Sequence, residues 1–386
     1  MTFSLLSLCA RTHPDPAAIR AAIPADFDAN VFAALADRHK VVPLVARALT
    51  QVFVTDPREF ERMYAPFKPL HTVAVARSLA CVQALISVGA AFEAAGIAFI
   101  PFKGVMLAKL YYGDPALRQF LDLDVLVHPK DMKRARAALI SNGWQLDDFP
   151  AQIDHPAEYH AHLQHPAFGV SLELHWALAF RRFAAQSNAN LFWDTAKPVT
   201  FYSRSVLAPS DEAMLIYLCA HGYRHGWSRL SWVCDVAEVI CARPQLDWEL
   251  VDQLAGSQGM RSVVLLGLAL AHRLLDAPIP TAFKAKIIDN KRVSNALNTI
   301  IEWLSAPTPA SDMALQAFHL SLADSWRDQA AYLPYALRHF AATKLRPNAR
   351  DRAFVKLPPA LDFLYYLVRP VRLIIKVVWG NHHSQT

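Results

Sequence analysis

Apolar residues in the first part of the chain recur every three or four positions, which is the spacing of an amphipathic helix. The pattern is clearest over residues 32–49 and 73–96. Gly96 closes the second run, and a glycine just beyond the last periodic residue is a common helix end. The pattern therefore predicts an N-terminal helical region over residues 1–96.

The spacing changes between residues 97 and 205, where short apolar or alternating runs interleave with helical ones. Alternation of apolar and polar side chains is typical of a strand with one buried face. The predicted strands are residues 97–102, 120–127, 144–148 and 169–178, and the predicted helices are residues 105–112 and 129–143. Such interleaving describes a small core that contains a sheet.

Helical spacing returns after Ser210, which is a favourable N-cap residue. Asp211 and Glu212 would follow in the first turn, where negative charge is stabilising. The remainder reads as helices interrupted by prolines. The predicted class is therefore α+β, with a mixed-sheet core over residues 97–205 and a C-terminal helical domain over residues 206–386.

Two aspartates stand out in the second predicted strand. Asp122 and Asp124 are two positions apart, so on a strand their side chains point to the same face. Paired carboxylates of this kind can hold divalent metal ions. Glu173 alternates with Leu172 and Leu174 on a later strand and would supply a third carboxylate. Oxygen ligands suit hard cations, so we expect two Mg²⁺ ions here, with Mn²⁺ as an alternative.

Positive charge precedes the aspartates. Lys103 and Gly104 lie where a predicted strand enters a helix, a position at which backbone N–H groups attract phosphate. Arg118 lies four residues before Asp122 and could reach a triphosphate. These residues predict a phosphate-binding region beside the carboxylates.

Residues 101–127 resemble the core of the polymerase-β-type nucleotidyltransferase superfamily. More closely, the chain resembles a bacterial family of uncharacterised nucleotidyltransferases, in which the same motifs recur in the same order. Those motifs are Lys103-Gly104, Arg118, Asp122-x-Asp124 and Glu173-x-His175-Trp176, and the resemblance extends to residues 221–235. It implies a nucleotidyltransferase fold and the metal-dependent transfer of a nucleoside monophosphate from a nucleoside triphosphate, with release of pyrophosphate. A small molecule, a sugar phosphate or a modified peptide could be the acceptor.

Two other functions stay open. A nucleotide sugar also presents a metal-bound diphosphate, so the same site could transfer a glycosyl or glycosyl-phosphate group. The chain could also be a non-catalytic nucleotide-binding or antitoxin-like module. Loss of an acidic residue would favour that alternative, and Asp122, Asp124 and Glu173 are all present.

Polar residues recur at three- and four-residue spacing between residues 221 and 235; they are His221, His225, Arg229, Trp232 and Asp235. A continuous helix would place them on one side, although Gly222 and Gly226 could interrupt it. His221, His225 and Arg229 are candidates for closing over the nucleotide. The alternatives are a hydrogen-bonded contact between domains or, from the two histidines, a zinc site. His175 and Trp176 are expected to pack and to support the site.

The histidines of residues 154–166 are His155, His160, His162 and His165. Their irregular spacing and the neighbouring prolines favour a loop, with metal binding as the alternative.

The charge balance narrows the class of partner only partly. A formal net charge of +6 and a pI near 9.0 suit an anionic ligand. Nucleic acid is disfavoured because no basic stripe interleaved with aromatic residues accompanies the core. The basic, apolar segment 365–380 could contact an anionic membrane surface, or it could pack on the protein or at a dimer interface.

The cysteines and the N-terminus indicate the compartment. Five cysteines without a CxxC pair predict neither a disulfide framework nor a cysteine zinc site. The N-terminus lacks the basic start of a signal peptide. No stretch reaches about 18 uninterrupted apolar residues. We therefore expect a cytoplasmic protein.

Overall fold

The computed structural model describes residues 2–146, 159–178 and 190–325, and residues 330, 352, 354–369 and 371–372 near the C-terminus. Met1–Asp324 form one compact unit and Ser325–Thr386 a second. In the second unit, residues Pro359–Leu364 form a 3-10 helix. His155 lies outside the described residues, as does most of segment 365–380, so the predicted membrane contact stays a prediction.

The N-terminal region is helical, as predicted. Its helices are Thr2–Cys9 (α1), Pro16–Ala22 (α2), Ala29–Arg38 (α3), Val42–Val52 (α4), Pro57–Tyr64 (α5) and Lys68–Ala94 (α6). Asp28 accepts hydrogen bonds from the first turn of α3, the role expected of an N-cap. The apolar pattern of residues 32–49 is divided between α3 and α4, because Lys40 between them adopts a left-handed backbone with φ of 56°.

The core contains a mixed five-stranded sheet and a separate two-stranded sheet. The strands are Phe99–Pro101 (β1), Asp122–Val127 (β2), Gln145–Leu146 (β3), His160–His165 (β4), Val170–His175 (β5), Lys197–Phe201 (β6) and Arg204–Ala208 (β7). The larger sheet has the order β1-β2-β5-β4-β3, and β2 and β5 are parallel while its other pairs are antiparallel. The predicted α+β class is confirmed.

The histidine-rich segment differs from the prediction. Residues 160–165 form β4 rather than a loop, and β4 pairs with β5 along its whole length. Histidine alternates here with Ala161 and Leu163, which are buried. The strand therefore has an apolar face, but polar residues outnumber apolar ones and weaken the pattern.

The two faces of the larger sheet have different neighbours. Leu123, Val125 and Val127 lie in a buried cluster with residues of α6 and of the helix Met132–Ser141 (α8). On the opposite face of β2, Leu126 joins the main apolar core. That second face also carries Asp122 and Asp124, because alternate side chains of a strand point the same way.

A short helical segment connects β1 to β2. It begins as the α-helix Gly104–Leu107 (α7) and continues as a π-helical turn over Ala108–Tyr112. The sequence predicted an uninterrupted helix over residues 105–112, and its extent is correct while the wider turn was not anticipated.

The remaining α-helices of the first unit follow the larger sheet along the chain. They are Leu191–Thr195 (α9), Asp211–Arg224 (α10), Leu230–Ala242 (α11), Trp248–Ser257 (α12), Arg261–Leu275 (α13), Thr281–Asp289 (α14), Lys291–Ser305 (α15) and Asp312–Ser321 (α16). Ser210 accepts a hydrogen bond from the Ala213 N–H and caps α10, as predicted. A continuous helix over residues 221–235 does not form, because α10 ends at Arg224 and Gly226 is left-handed with φ of 60°.

Of the helices described, α6 is long and apolar enough to cross a membrane by length and composition. Its C-terminal half contributes Cys81, Leu85, Val88 and Phe92 to the cluster beneath the sheet. A core helix passes the same test of length and composition. The division into residues 1–96, 97–205 and 206–386 stays a prediction.

Candidate functional site

The paired strands β2 and β5 bring the three predicted carboxylates to one sheet face. Asp124 and Glu173 are direct partners in the parallel pairing, and Asp122 lies opposite Ser171. Parallel pairing keeps alternate residues of both strands on the same side, so the two aspartates and Glu173 face the same space.

Lys103 and His175 both contact Asp124. The Lys103 Nζ lies 2.5 Å from Asp124 Oδ1, and the His175 Nε2 lies 3.2 Å from the same oxygen. His175 Nε2 is also 3.2 Å from Glu173 Oε2. His175 thus lies between two of the carboxylates.

Burial and the neighbouring charges together raise the pKa of Asp122 but lower the pKa values of Asp124 and Glu173. Burial, and then the neighbouring Asp124, raises the pKa of Asp122 to about 6. Burial also acts against the charge of Asp124, but Lys103 and His175 outweigh it and lower that pKa. Burial also disfavours the charged form of Glu173. The hydrogen bond from His175, and then the charge of Lys103, outweigh burial and lower the Glu173 pKa. Burial disfavours the charged form of Lys103, but Asp124 prevails and raises its pKa.

Gly104 allows the preceding Lys103 to contact Asp124. Its φ is +49°, and a Cβ added there would lie 3.0 Å from the backbone oxygen of Asp122. Glycine adopts positive φ without a steric penalty. The chain can therefore turn close to β2 at Gly104, which leaves the preceding Lys103 against Asp124.

The donor set fits a hard divalent cation. Asp124, Glu173 and His175 each offer a ligand atom, and these atoms lie within 4.8 Å of one another. Asp122 adds a carboxylate on the same face. The ammonium group of Lys103 already shows that a cation is accommodated at Asp124 Oδ1, and carboxylate oxygens are the ligands that Mg²⁺ prefers.

Arg118 takes a different partner from the one expected. Its guanidinium binds Asp235 of α11 with two hydrogen bonds, of 2.6 Å from Nε and 2.8 Å from Nη2. Tyr112 donates a third hydrogen bond, of 2.8 Å, to the same carboxylate. This buried pair ties the segment before β2 to α11. The expectation that Arg118 steadies a triphosphate stays a prediction.

A cavity of about 680 Å³ lies above the carboxylates, and its far wall comes from α10, α11 and their connection. It is lined by all the predicted site residues: Lys103, Gly104, Arg118, Asp122, Asp124, Glu173, His221, His225 and Arg229. A volume of this size is typical of small-molecule sites. The structure thus brings together residues that are widely separated in the chain.

Aromatic rings cover part of the far wall. His225 and Trp232 have ring centroids 5.1 Å apart, and the His221 ring meets Trp232 edge-on at 5.5 Å. The Arg229 guanidinium lies 5.4 Å from the centre of the Trp232 ring. Burial, and then the charge of Lys103, lowers the pKa of His221 well below its ordinary value, so this ring is neutral at pH 7.

The sequence did not single out two further arginines of the cavity. Arg77 of α6 donates a 2.8 Å hydrogen bond to the Leu121 carbonyl, and Arg224 of α10 contacts the Tyr159 hydroxyl. Among the described residues, Arg77, Arg224 and Arg229 form no ion pair with a carboxylate. Arg224 lies three residues after His221, so the helical spacing could have identified it, whereas the contribution of Arg77 depends on the tertiary fold.

The described histidines of β4 separate by face. His160 and His162 lie on the side of Glu173, with their Nε2 atoms 2.9 Å apart. Burial, and then the nearby His175, lowers the pKa of His160 to about 4. His165 lies on the other side, edge-on to the Trp144 ring at 5.1 Å.

Comparison with known proteins gives a matching family and distant similarities to solved structures. The chain resembles the antibiotic-resistance factor ANT(2'')-Ia in solution with 15% identity and a TM-score of 0.34, over 50% of this chain and 95% of that one. It resembles an antigenic nucleotidyltransferase-like protein from Paracoccidioides brasiliensis with 16% identity and a TM-score of 0.35, over 52% of this chain and 94% of that one. No curated protein matches it.

The family match has a wider extent. The sequence model described as uncharacterised nucleotidyltransferase matches residues 25–276, which is more than half of the chain. This span contains β2, β5, α10 and α11, and therefore the strands and helices that line the cavity. The chain belongs to the uncharacterised nucleotidyltransferase family and is a nucleotidyltransferase.

Proposed function

We propose that the protein transfers a nucleoside monophosphate from a nucleoside triphosphate to a hydroxyl or phosphate oxygen of an acceptor and releases pyrophosphate. One observation carries this proposal. Three carboxylates on β2 and β5 face a cavity whose other walls present arginines without carboxylate partners among the described residues. Carboxylates suit divalent cations and guanidinium groups suit phosphate oxygens, and a metal-bound triphosphate needs both.

Asp122, Asp124 and Glu173 would hold the divalent ions, which we propose to be two Mg²⁺, with Mn²⁺ as a substitute. When bound, such ions neutralise phosphate charge and make an acceptor oxygen more acidic. Lys103 contacts Asp124. Once a metal ion binds that carboxylate in its place, the Lys103 ammonium group is proposed to bind a phosphate oxygen. The Gly104 backbone is proposed to approach the phosphates, since no side chain intervenes there.

The chain's own groups then orient the donor and take up a proton. Arg224 and Arg229 are proposed to bind the outgoing pyrophosphate oxygens, and the rings of Trp232 and His225 are proposed to contact the base. Asp122 faces the cavity from β2 and is proposed to accept a proton from the acceptor hydroxyl. Glu173 or Asp124 is the alternative base.

The donor and acceptor classes are proposed from the family resemblance. We propose a small molecule, a sugar phosphate or a peptide as acceptor, and ATP among the candidate donors. Nucleic acid stays disfavoured for the reason drawn from the sequence. We further propose that the chain belongs to the polymerase-β-type superfamily, is of bacterial origin and acts in the cytoplasm.

The test is pyrophosphate release from ATP, GTP, CTP and UTP in turn with Mg²⁺ and a mixture of small-molecule, sugar-phosphate and peptide acceptors, by the unaltered protein and by an Asp122→Asn/Asp124→Asn variant. We expect one triphosphate to be consumed, and the variant to lose roughly 1,000-fold or more in rate. Asp131→Asn is the matched control, because Asp131 follows β2 and pairs with Arg134 at the surface. Melting curves of all variants separate loss of activity from loss of fold.

Other outcomes identify the alternatives. Consumption of a nucleotide sugar without pyrophosphate would replace the proposal by glycosyl or glycosyl-phosphate transfer. Metal-dependent binding of a triphosphate without turnover in any acceptor mixture would favour the non-catalytic module. Equal turnover by the aspartate variant and the control would remove Asp122 and Asp124 from the reaction.

A further inference from the structure

A second group of metal-ligating side chains lies beside the carboxylates and includes two histidines of β4, for which the sequence pattern favoured a loop. His162 of β4 pairs with Glu173 of β5, and His160 pairs with His175. His160 and His162 are two positions apart, so both side chains point to the face that carries Glu173. Two imidazoles and one carboxylate therefore meet at the edge of the cavity floor.

The distances are those of a site that one ion could occupy with small side-chain movements. The Nε2 atoms of His160 and His162 are 2.9 Å apart, and His162 Nδ1 is 3.9 Å from Glu173 Oε1. A ligand atom of each of the three residues lies within 4.8 Å of the others. Two nitrogens bound tetrahedrally to one zinc ion are about 3.3 Å apart, given Zn–N bonds of about 2.0–2.1 Å.

The hydrogen bonds of His160 do not satisfy both nitrogens of its ring. Its Nδ1 is buried and has no hydrogen-bond partner among the described residues, and its Nε2 meets only the imidazole of His162. Buried polar atoms normally have a partner, so the His160 ring is not fixed by hydrogen bonds at both nitrogens and can turn to present either one to an ion. Glu173 has an oxygen to spare for this purpose, because Oε2 contacts His175 while Oε1 faces His162.

We propose that His160, His162 and Glu173 form a binding site for a divalent transition metal, with Zn²⁺ as the best match. Imidazole nitrogen suits Zn²⁺, whereas the carboxylate oxygens of Asp122, Asp124 and Glu173 in the neighbouring site suit Mg²⁺. The His162 side chain is 51% exposed, so the ion can enter from solvent and keep an open coordination position. Glu173 is shared by the two sites, and the proposal otherwise stands apart from nucleotidyl transfer.

The experiment is metal titration of the full chain after treatment with a chelator. Zn²⁺ affinity is measured by competition with a chromophoric chelator, and Co²⁺ is used as a probe whose visible absorption reports the coordination geometry. We expect a His160→Gln/His162→Gln variant to bind Zn²⁺ roughly 100-fold more weakly and to lose the Co²⁺ absorption. His165→Gln is the matched control, on the same strand but the opposite face, and should bind as the unaltered protein does.

The histidine variants also distinguish this site from the carboxylate site. The Asp122→Asn/Asp124→Asn variant should keep its Zn²⁺ affinity while losing pyrophosphate release, so failure of one proposal leaves the other intact. Unchanged Zn²⁺ affinity in the double histidine variant overturns the inference and leaves a hydrogen-bonded histidine pair. The inference is equally overturned if the aspartate variant alone loses zinc. His162→Gln, at an exposed position, replaces the double variant if melting curves show that the latter is unfolded.

Discussion

Asp124 is only 3% exposed, and it stays charged because Lys103 and His175 contact the same carboxylate oxygen. A buried charge is costly unless it is paired, and removal of one partner leaves the other without compensation. The local chemistry therefore depends on the balance of charge among Lys103, Asp124 and Glu173. A divalent cation at the carboxylates would change that balance.

We expect Lys103→Met to lower the free energy of unfolding by about 3–5 kcal/mol, because it leaves Asp124 buried without its ammonium partner. Denaturant unfolding measures the loss. Lys109→Met is the matched control, since the Lys109 ammonium lies over the Tyr202 ring and its removal should cost at most about 1 kcal/mol. Mg²⁺ should restore part of the stability of Lys103→Met and none of it in a chain that also carries Asp122→Asn and Asp124→Asn. Equal loss in both lysine variants would contradict the assigned pairing.

The Arg118–Asp235 pair predicts strong coupling between the segment before β2 and α11. We expect Arg118→Gln and Asp235→Asn each to destabilise the fold by about 3–5 kcal/mol, because each leaves a buried charge unpaired. The double variant should cost clearly less than the sum of the two, since neither charge is then present. Unfolding free energies of the four proteins measure this, and additive costs would show that the pair is not coupled.

At the scale of elements, the sequence predicted the helices and strands in which apolar residues recur at regular spacing. The strands β2 and β5 have clear alternation, and Ser210 with Asp211 and Glu212 marked the start of α10. The histidines of β4 concealed its apolar face. The end of α10 was ambiguous because Gly222 and Gly226 were equally plausible interruptions, and the choice between them is made by tertiary packing.

The packing of Trp227 determines which of the two glycines lies inside α10. Its ring lies so close to Gly222 that an added Cβ would be 2.5 Å from two ring atoms, so Gly222 is a contact point inside α10 rather than a helix end. We expect Gly222→Ala to destabilise the protein by about 1–3 kcal/mol through overpacking. Gly89→Ala in α6 is the control, because the nearest atoms to its Cβ are 3.5 Å away and alanine favours a helix by roughly 0.5–1 kcal/mol. Denaturant unfolding should therefore give effects of opposite sign, and equal signs would count against the Trp227 contact.

The start of α11 depends on a buried histidine from the end of α3. The Leu230 N–H donates to His39 Nδ1 at 3.2 Å, and the Ser231 N–H donates to the His39 carbonyl at 3.1 Å. Burial, and then the charge of Arg38, lowers the pKa of His39 from 6.5 to about 4. The unprotonated ring is the form that accepts the hydrogen bond from α11.

Stability should therefore fall as the pH is lowered from 6.5 to 4. In that range the unfolded chain binds a proton at His39 that the folded protein does not, so the His39 contribution is complete above pH 6.5 and is lost on acidification. The loss approaches about 3 kcal/mol by pH 4. Unfolding free energies measured across this range should show a smaller slope for His39→Gln, which keeps an acceptor but does not titrate. An unchanged slope would assign the acid sensitivity to other groups.

At the scale of the whole molecule, the cavity joins parts of the chain that the sequence treated as separate regions. Lys40 follows α3, Asp122 and Glu173 lie on the sheet, and Arg229 precedes α11. The acids were predictable because a strand of period two fixes their common face. Arg77 and the partner of Arg118 were not, since each depends on how one helix packs against a distant segment.

A ligand that bridges these parts should stabilise the first unit as a whole. With the preferred triphosphate and Mg²⁺ at about 100 times the dissociation constant, we expect the free energy of unfolding to rise by about 2.7 kcal/mol. Calorimetry should show a higher melting temperature, and hydrogen exchange should slow together at Lys40, at residues 118–124 and at residues 221–235. The corresponding nucleoside, which has no phosphate, should give neither effect, and the Asp122→Asn/Asp124→Asn variant should not respond to the triphosphate. Protection confined to one of the three segments would mean that the ligand contacts a single wall, and the nucleotide would then have to be placed outside the cavity's centre.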